Sequence, residues 1–245
     1  MTTSGEIAIG ATAVAVAAAV GGTLTYAALS SGSQMFGATI IAGNDPNEVA
    51  LTYDDGPNDN VTAELLDLLA MHGAKATFFM LGKYVRQRPE LVLRVHAAGH
   101  LIGNHTETHP WLAWQTERVI REELRRCNEA LEDVLGVPVK YFRPPHGARR
   151  PAVFRVAREL GLTTVQWNAM GHDWEPIGAA KILANVDRRM VLNRGRGEGS
   201  NILLHDGGDR AMGANRSDTV AVTARLLQRW AQDAKTKIVT VDAWG

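Results

Sequence analysis

Cysteine is nearly absent. Cys127 stands alone among 245 residues, so no internal disulfide can staple the fold. A charge excess of either sign is absent too: 26 basic and 26 acidic side chains cancel. That removes the general electrostatic case for nucleic acid or an anionic surface as partner. No internal repeat is visible, which excludes a solenoid. Basic residues are missing from the whole N-terminal region, where the first is Lys75. Within it, Ile7 to Leu29 carries no charge and is rich in Ala, Val and Gly. A run of roughly 20 apolar residues suits a membrane span, although the basic flank of a signal peptide is missing and Glu6 precedes the run. The run reads as an export or membrane-anchoring segment, which places the protein in the cell envelope. The competing reading is an Ala-rich helix of a soluble protein. Residues 30–43, small and partly polar, read as a linker. The expected organisation is therefore an N-terminal segment over 1–43 and one catalytic-sized domain over 44–245, long enough for a sizeable core.

What is present is an alternation. Strand-like runs are expected at Val49–Tyr53, Ala76–Met80, Leu101–Gly103, Val139–Phe142, Thr163–Trp167, Ile202–His205 and Ile238–Val241. Between them lie helix-like runs at Val61–His72, Pro89–Ala98, Glu117–Leu135, Ala152–Leu160, Ala179–Leu192 and Ser217–Ala234. Several of these close on a glycine, at Gly73, Gly99 and Gly161. Glu117–Leu135 sets Val119, Ile120, Leu124, Cys127, Leu131 and Leu135 along one face. Alternating β and α predicts an α/β fold with a mostly parallel sheet and helices outside, open or closed into a barrel. In such folds the chemistry gathers at the carboxyl ends of strands.

Polar clusters do follow the strand candidates: Asp54-Asp55, His105 to His109, Arg143 to His146, Asp173-Trp174 and His205-Asp206. In EVALTYDDGPND two carboxylates sit side by side. Within a strand they would point to opposite faces. A strand that ends at Tyr53, followed by a Gly-Pro turn, lets both approach one point, where a cation would relieve their repulsion. One can then ligate while the other serves as a base toward water. Alone, DDGP is as readily a turn that caps a helix. In GNHTETHP, His105 and His109 are four apart, a spacing that lets two imidazoles share a metal. His96 and His100 repeat that spacing, but Gly99 lies between them at an expected helix end, so they read as a surface and a loop residue. Two histidines and one carboxylate leave positions open for water and substrate, which suits catalytic zinc and also non-haem Fe(II). Taken singly, Arg143 reads as readily as a surface ion-pair partner, Trp174 as core, and His205 as a buried structural histidine.

Together LTYDDGP, HTETH, RPPHG, the HDW at His172–Trp174 and LLHD resemble, in order, the five motifs of the polysaccharide deacetylases. This is the NodB-homology group, carbohydrate esterase family four. The resemblance spans about residues 47 to 242. It implies a distorted, incomplete (β/α) barrel and the removal of acetyl groups from N-acetylglucosamine polymers such as peptidoglycan or chitin, or from O-acetylated xylan. It implies a divalent metal, zinc above all, with Co, Ni or Mn as substitutes, held by Asp55, His105 and His109. Asp54 would be the general base, oriented by Arg143, and His205 the general acid, supported by Asp173. The backbone N–H of His146 would face the oxyanion. Trp174, Leu203 and Pro145 would wall the acetyl pocket.

The expected partner is an N-acetylated glycan; no protein partner is expected. Arg143 beside Asp54 favours the ionised base, and Asp173 beside His205 favours the charged acid. His146 stands where the family often has Tyr, and Met170 where it often has an additional Asp, so the pocket rim departs from the pattern. A silent carbohydrate-binding module would retain Trp111, Trp114 and Trp174 yet lack the base or acid; both Asp54 and His205 are present. An Fe(II) oxygenase is disfavoured by the α/β alternation.

Overall fold

The computed structural model describes residues 20–245. Of the apolar run over 7–29, residues 7–19 lie outside the described part, and residues 20–29 form a helix, α1. Among the described residues no helix is long and apolar enough to cross a membrane.

The centre of the fold is β1 (Glu48–Gly56), buried from Val49 onward. Its apolar and β-branched residues suit a strand covered on both faces. Its neighbours are β2 (Thr77–Met80), β3 (Leu101–Asn104), β4 (Tyr141–Phe142) and β5 (Thr163–Thr164) on one side. On the other lie β7 (Ser200–His205) and β6 (Ala169–Met170), with β8 (Lys237–Ile238) beside the start of β1. The order is β5-β4-β3-β2-β1-β7-β6, and all pairings are parallel. Helices α2 (Val61–Met71), α3 (Gly82–Val85), α4 (Pro89–Ala97), α5 (Glu117–Leu135), α6 (Pro151–Glu159), α7 (Ala179–Gly195) and α8 (Ser217–Trp230) make the connections. This is a curled, incomplete (β/α) barrel, as expected.

The pleat of β1 sorts its residues. Leu51 and Tyr53 face the helix layer, in a core with Leu65, Phe78, Leu124 and Leu226. Ala50 faces inward, in a smaller cluster with Phe79, Val165 and Val241, and Thr52 and Asp54 follow it at the same parity. In α5, Thr116 caps the start by accepting the Val119 N–H at 3.4 Å, and Gly136 closes the end at φ 68°. Ile120, Leu124, Cys127 and Leu131 form its buried stripe, while Val119 and Leu135 are half-buried.

Three expectations need correction. The strand expected to stop at Tyr53 continues to Gly56. The edges are shorter than expected: β5 is two residues long, β6 is an unexpected pair, and the strand expected at Ile238–Val241 is only the pair Lys237–Ile238, with Val241 opening a 3₁₀ turn. Edge positions lack a second partner, so they keep pairing only where a neighbour reaches them. Residues 30–43, expected as a linker, lie against the domain. Ile40 bridges Val165 at the open edge beyond β5, and Gly43 O accepts the Gly199 N–H at 2.9 Å.

Candidate active site

Asp55 is an extra residue in β1. Asp54 pairs with Phe79 and Gly56 with Met80, so Asp55 has no opposite number, and its φ is 71°. Such a bulge re-aims a side chain. It answers the puzzle of the paired carboxylates, since both can serve one cavity although the strand runs on. Gly207 secures the arrangement: its N–H donates to Asp54 O at 3.2 Å, and a Cβ on it would lie 2.0 Å from Asp55 O.

Asp55 and the two histidines of HTETH converge. Asp55 Oδ1 lies 3.5 Å from His105 Nε2 and 3.3 Å from His109 Nε2. One ligand atom from each residue falls within 4.8 Å of the others. Asp55 Oδ1 is buried and has no hydrogen-bond partner, an unsatisfied acceptor that a cation would complete. His105 Nδ1 lies 2.7 Å from the Arg143 carbonyl. With its proton on Nδ1, the ring presents an Nε2 lone pair, the usual outer support of a metal-binding imidazole. Burial lowers the His105 pKa well below its ordinary value and that of His109 to about 2, so both rings are neutral. Burial raises Asp55 to about 6. The donor set therefore fits a divalent ion with open positions.

Asp54 adjoins this group. Its Oδ1 accepts from Arg143 Nη1 at 2.9 Å, and its Oδ2 lies 3.7 Å from His105 Nε2. Arg143 is fully buried. It also donates to Thr52 Oγ1 at 2.7 Å and Gln166 O at 3.0 Å, and lies over the Phe79 ring at 4.2 Å. It is thus no surface ion-pair residue. Burial outweighs its attraction and pushes the Asp54 carboxyl up, whereas the sequence suggested a depressed value.

On the neighbouring strand β7, His205 is paired with Asp54. Its Nδ1 faces Asp173 Oδ1 at 2.8 Å, and its backbone N–H donates to Asp173 Oδ2 at 2.7 Å. Thr219 Oγ1 also donates to Oδ2, at 2.6 Å. Burial opposes the charge on His205, but Asp173 and the nearby aspartates prevail and raise it to about 9. Asp173 falls below its ordinary value, because His205 and the donors overcome its burial.

These groups open into a cleft of about 680 Å³. Asp55, His105, His109 and His205 line it, with Trp174, Leu203 and His146. Trp174 is half-exposed and meets His205 edge-on at 5.2 Å, so it is wall rather than core. His146 occupies a left-handed turn at φ 57° and stacks on Trp111, with ring centroids 3.9 Å apart. Pro145 is buried just before it in that 3₁₀ turn. The cleft also holds residues that the motifs did not single out: Leu29, Trp167, Asp209, Arg210 and Arg216. Asp209 follows HDGG at a strand end, which was a usable signal. Asp206 is buried and raised to about 7, chiefly by burial; its Oδ2 accepts from Thr62 Oγ1 at 2.5 Å. His100 lies outside the site, where its Nδ1 accepts the Ala76 N–H at 3.2 Å.

Comparison with known proteins agrees with this picture. The family model for polysaccharide deacetylase matches residues 42–165. A chitooligosaccharide deacetylase of Rhizobium leguminosarum bv. trifolii is 40% identical over 167 residues, covering 68% of this chain and 74% of the relative. A peptidoglycan-N-acetylglucosamine deacetylase of Bacillus cereus is 36% identical over 186 residues, covering 75% and 82%. Among solved structures, the Bc1960 peptidoglycan N-acetylglucosamine deacetylase, in complex with 4-naphthalen-1-yl-N-oxidanyl-benzamide, superposes with a TM-score of 0.72. The two are 32% identical over 83% of this chain and 91% of that one. By motif order, fold and these matches, the chain belongs to the polysaccharide deacetylases, the NodB-homology hydrolases of carbohydrate esterase family four.

Proposed function

We propose that this chain removes N-acetyl groups from N-acetylglucosamine units of a peptidoglycan- or chitin-like glycan, and that it requires a divalent cation, zinc first, to do so. The observation that carries the reading is the meeting of three groups in one cleft: Asp55–His105–His109, Asp54–Arg143 and His205–Asp173. The first would hold the cation, which supplies Lewis-acid polarisation of the acetyl carbonyl and acidification of water.

The remaining steps belong to the chain's own side chains. Asp54, with its raised pKa, takes a proton from the water that adds to the carbonyl carbon. Arg143 holds Asp54 Oδ1 and so leaves Oδ2 toward the cleft. The backbone N–H of His146 donates to the oxyanion, a contact of a kind whose removal costs roughly 2.7–4 kcal/mol. An amine leaves poorly as an anion, so His205, charged at neutral pH, protonates the nitrogen as the C–N bond breaks. Acetate and a free amine result. Trp174 and Leu203 supply the apolar wall for the acetyl methyl group.

Both named relatives act on N-acetylated glycans by their descriptions, which favours N- over O-acetyl cleavage. Peptidoglycan lies outside the cytoplasmic membrane, so a chain acting on it has to be exported. Residues 7–29 are the segment that would serve, and cell fractionation tests that placement. The deciding experiment for the activity is acetate release from chitooligosaccharides, peptidoglycan and acetylxylan, with the metal stripped and then replaced. Metal-independent release, or release from acetylxylan alone, would overturn this reading.

A further inference from the structure

The N-terminal segment reaches the cleft. Leu29, at the end of α1, is 39% exposed and lines the same cavity as Trp167, Met170, Trp174 and Leu203. Its neighbours are fixed to the domain. Ala27 is buried, and Ala28 O accepts the Arg149 backbone N–H at 3.0 Å. The Arg149 side chain, fully buried, donates from Nη2 to Ser30 O at 2.6 Å and to Ser33 O at 2.9 Å. From Nη1 it donates to Gly147 O at 2.8 Å. Gly147 directly follows His146, and its carbonyl also accepts from Gln166 Nε2 at 3.2 Å. One guanidinium therefore ties the end of α1 and the segment after it to the turn that carries His146.

Two features mark this clamp as more than packing. Burying a cation is costly unless its donors are satisfied; both terminal nitrogens of Arg149 donate to backbone carbonyls, its Nε stays unpaired, and no carboxylate partners it among the described residues. Backbone carbonyls fix a chain path whatever side chains it bears. The apolar side chain that this path delivers to the cleft is Leu29. The cavity exceeds what an acetamido group fills and falls in the range that buries a ligand of several rings. Pyranose rings carry C–H groups on their faces, and these gain by burial against an apolar wall.

We propose that residues 27–33 form part of the substrate cleft. Leu29 is the wall against which a sugar adjoining the reacting N-acetylglucosamine packs, and Arg149 is the positioning residue that ties this wall to the His146 turn. The proposal rests on the glycan deacetylase reading. It adds that the N-terminal segment, outside every recognised motif, helps to set oligomer preference.

The test is steady-state acetate release from chitobiose and chitopentaose, with calorimetric binding of chitopentaose, for wild type, Leu29→Ala, Leu29→Asp and Arg149→Gln. Leu29→Asp is expected to raise KM and Kd for chitopentaose by about fivefold or more, the equivalent of one lost apolar contact, with a smaller change in kcat. Leu29→Ala follows in the same direction with a smaller effect. Arg149→Gln is expected to lower kcat as well, because it also releases the His146 turn. Unchanged KM and Kd in Leu29→Asp would overturn the proposal even if Arg149→Gln failed to fold. A wild-type enzyme that binds chitopentaose but releases no acetate would sink the deacetylase reading alone, and the binding comparison would still decide the role of Leu29. Failure of wild type to bind would overturn both.

Discussion

Asp173 grips His205 at two points, with one carboxylate oxygen on the ring Nδ1 and the other on the same residue's backbone N–H. The ring is thus held in position by a single side chain, which also does most to keep it charged, with Asp55 and Asp54 adding to the charge and Thr219 bracing the second oxygen. His205, the proposed acid, and Asp173 come from different strand ends and are locked before any substrate arrives.

A pH profile follows from that grip. His205 has a folded pKa of about 9, above its ordinary value of 6.5. Its charged form is present below 9, so kcat/KM is expected to fall on the alkaline side at or somewhat below pH 9, since a bound cation nearby lowers the value. Asp173→Asn removes the attracting charge and is expected to move this limb toward neutral pH, with about a tenfold or greater loss at pH 8.5. Stability carries the same sign: the His205–Asp173 pair stabilises fully below 6.5 and loses its contribution as pH rises through 9. Melting temperatures of wild type and Asp173→Asn should therefore converge between pH 7 and 10. A limb unmoved by Asp173→Asn would contradict the assignment.

Replacing the proposed base separates binding from turnover. Asp54→Asn is expected to bind zinc as wild type does, because Asp55, His105 and His109 remain, and to lose about 10²–10⁴-fold in kcat. Inductively coupled plasma analysis of the purified variant, alongside acetate release, checks both halves. Full activity in this variant would exclude Asp54 as the base.

Cation affinity should report one proton. Both imidazoles are already neutral in the fold, and Asp55, at about 6, is the ligand still to be deprotonated. Titration with Co²⁺ by visible absorbance is expected to show log K rising by about one per pH unit below pH 6 and levelling above it. Ordinary exposed histidines would give a steeper rise, centred near 6.5.

Removing Arg143 should unfold as well as inactivate. It is fully buried against Asp54, and breaking one side of such a pair costs about 3–5 kcal/mol. Arg143→Met is expected to lower the urea midpoint accordingly. Asp54→Asn/Arg143→Met should recover part of that loss, because it removes both buried charges. A double variant less stable than Arg143→Met alone would count against this account.

Gly207 is expected to tolerate nothing larger. A methyl group there would meet Asp55 O at 2.0 Å. Gly207→Ala should cost about 1–3 kcal/mol in stability as the chain shifts to relieve the overlap, and should weaken cation binding because Asp55 shifts with it. Denaturation and the same Co²⁺ titration measure the two effects.

Much of this was readable in the sequence because strand ends and motifs coincide there. The clusters after Tyr53, Leu101–Gly103, Phe142 and Ile202–His205 all arrive at one cleft, as a parallel sheet requires. The α5 boundaries were readable from Glu117 to Leu135 in the apolar stripe along one face, and the structure adds the closing Gly136. The Asp55 bulge was not, since an extra residue in a strand leaves no trace in hydrophobic period. Nor were the two-residue edges β5 and β6, where neighbours decide pairing and propensity does not. Arg149 was hidden for another reason: its partners are carbonyls, which every residue has, so no side-chain pattern points to them.

Outside glycine, left-handed backbone among the described residues is concentrated around the cleft. Among the described residues, Asp55, Thr106, His109, His146 and His172 are the non-glycine positions with positive φ. Each belongs to one of the five family motifs. Such conformations cost on the order of 1–3 kcal/mol apiece, so the barrel must be firm enough to hold its working parts uphill. Selection of this enzyme for heat resistance would find easy gains at those positions, and each gain would come out of turnover.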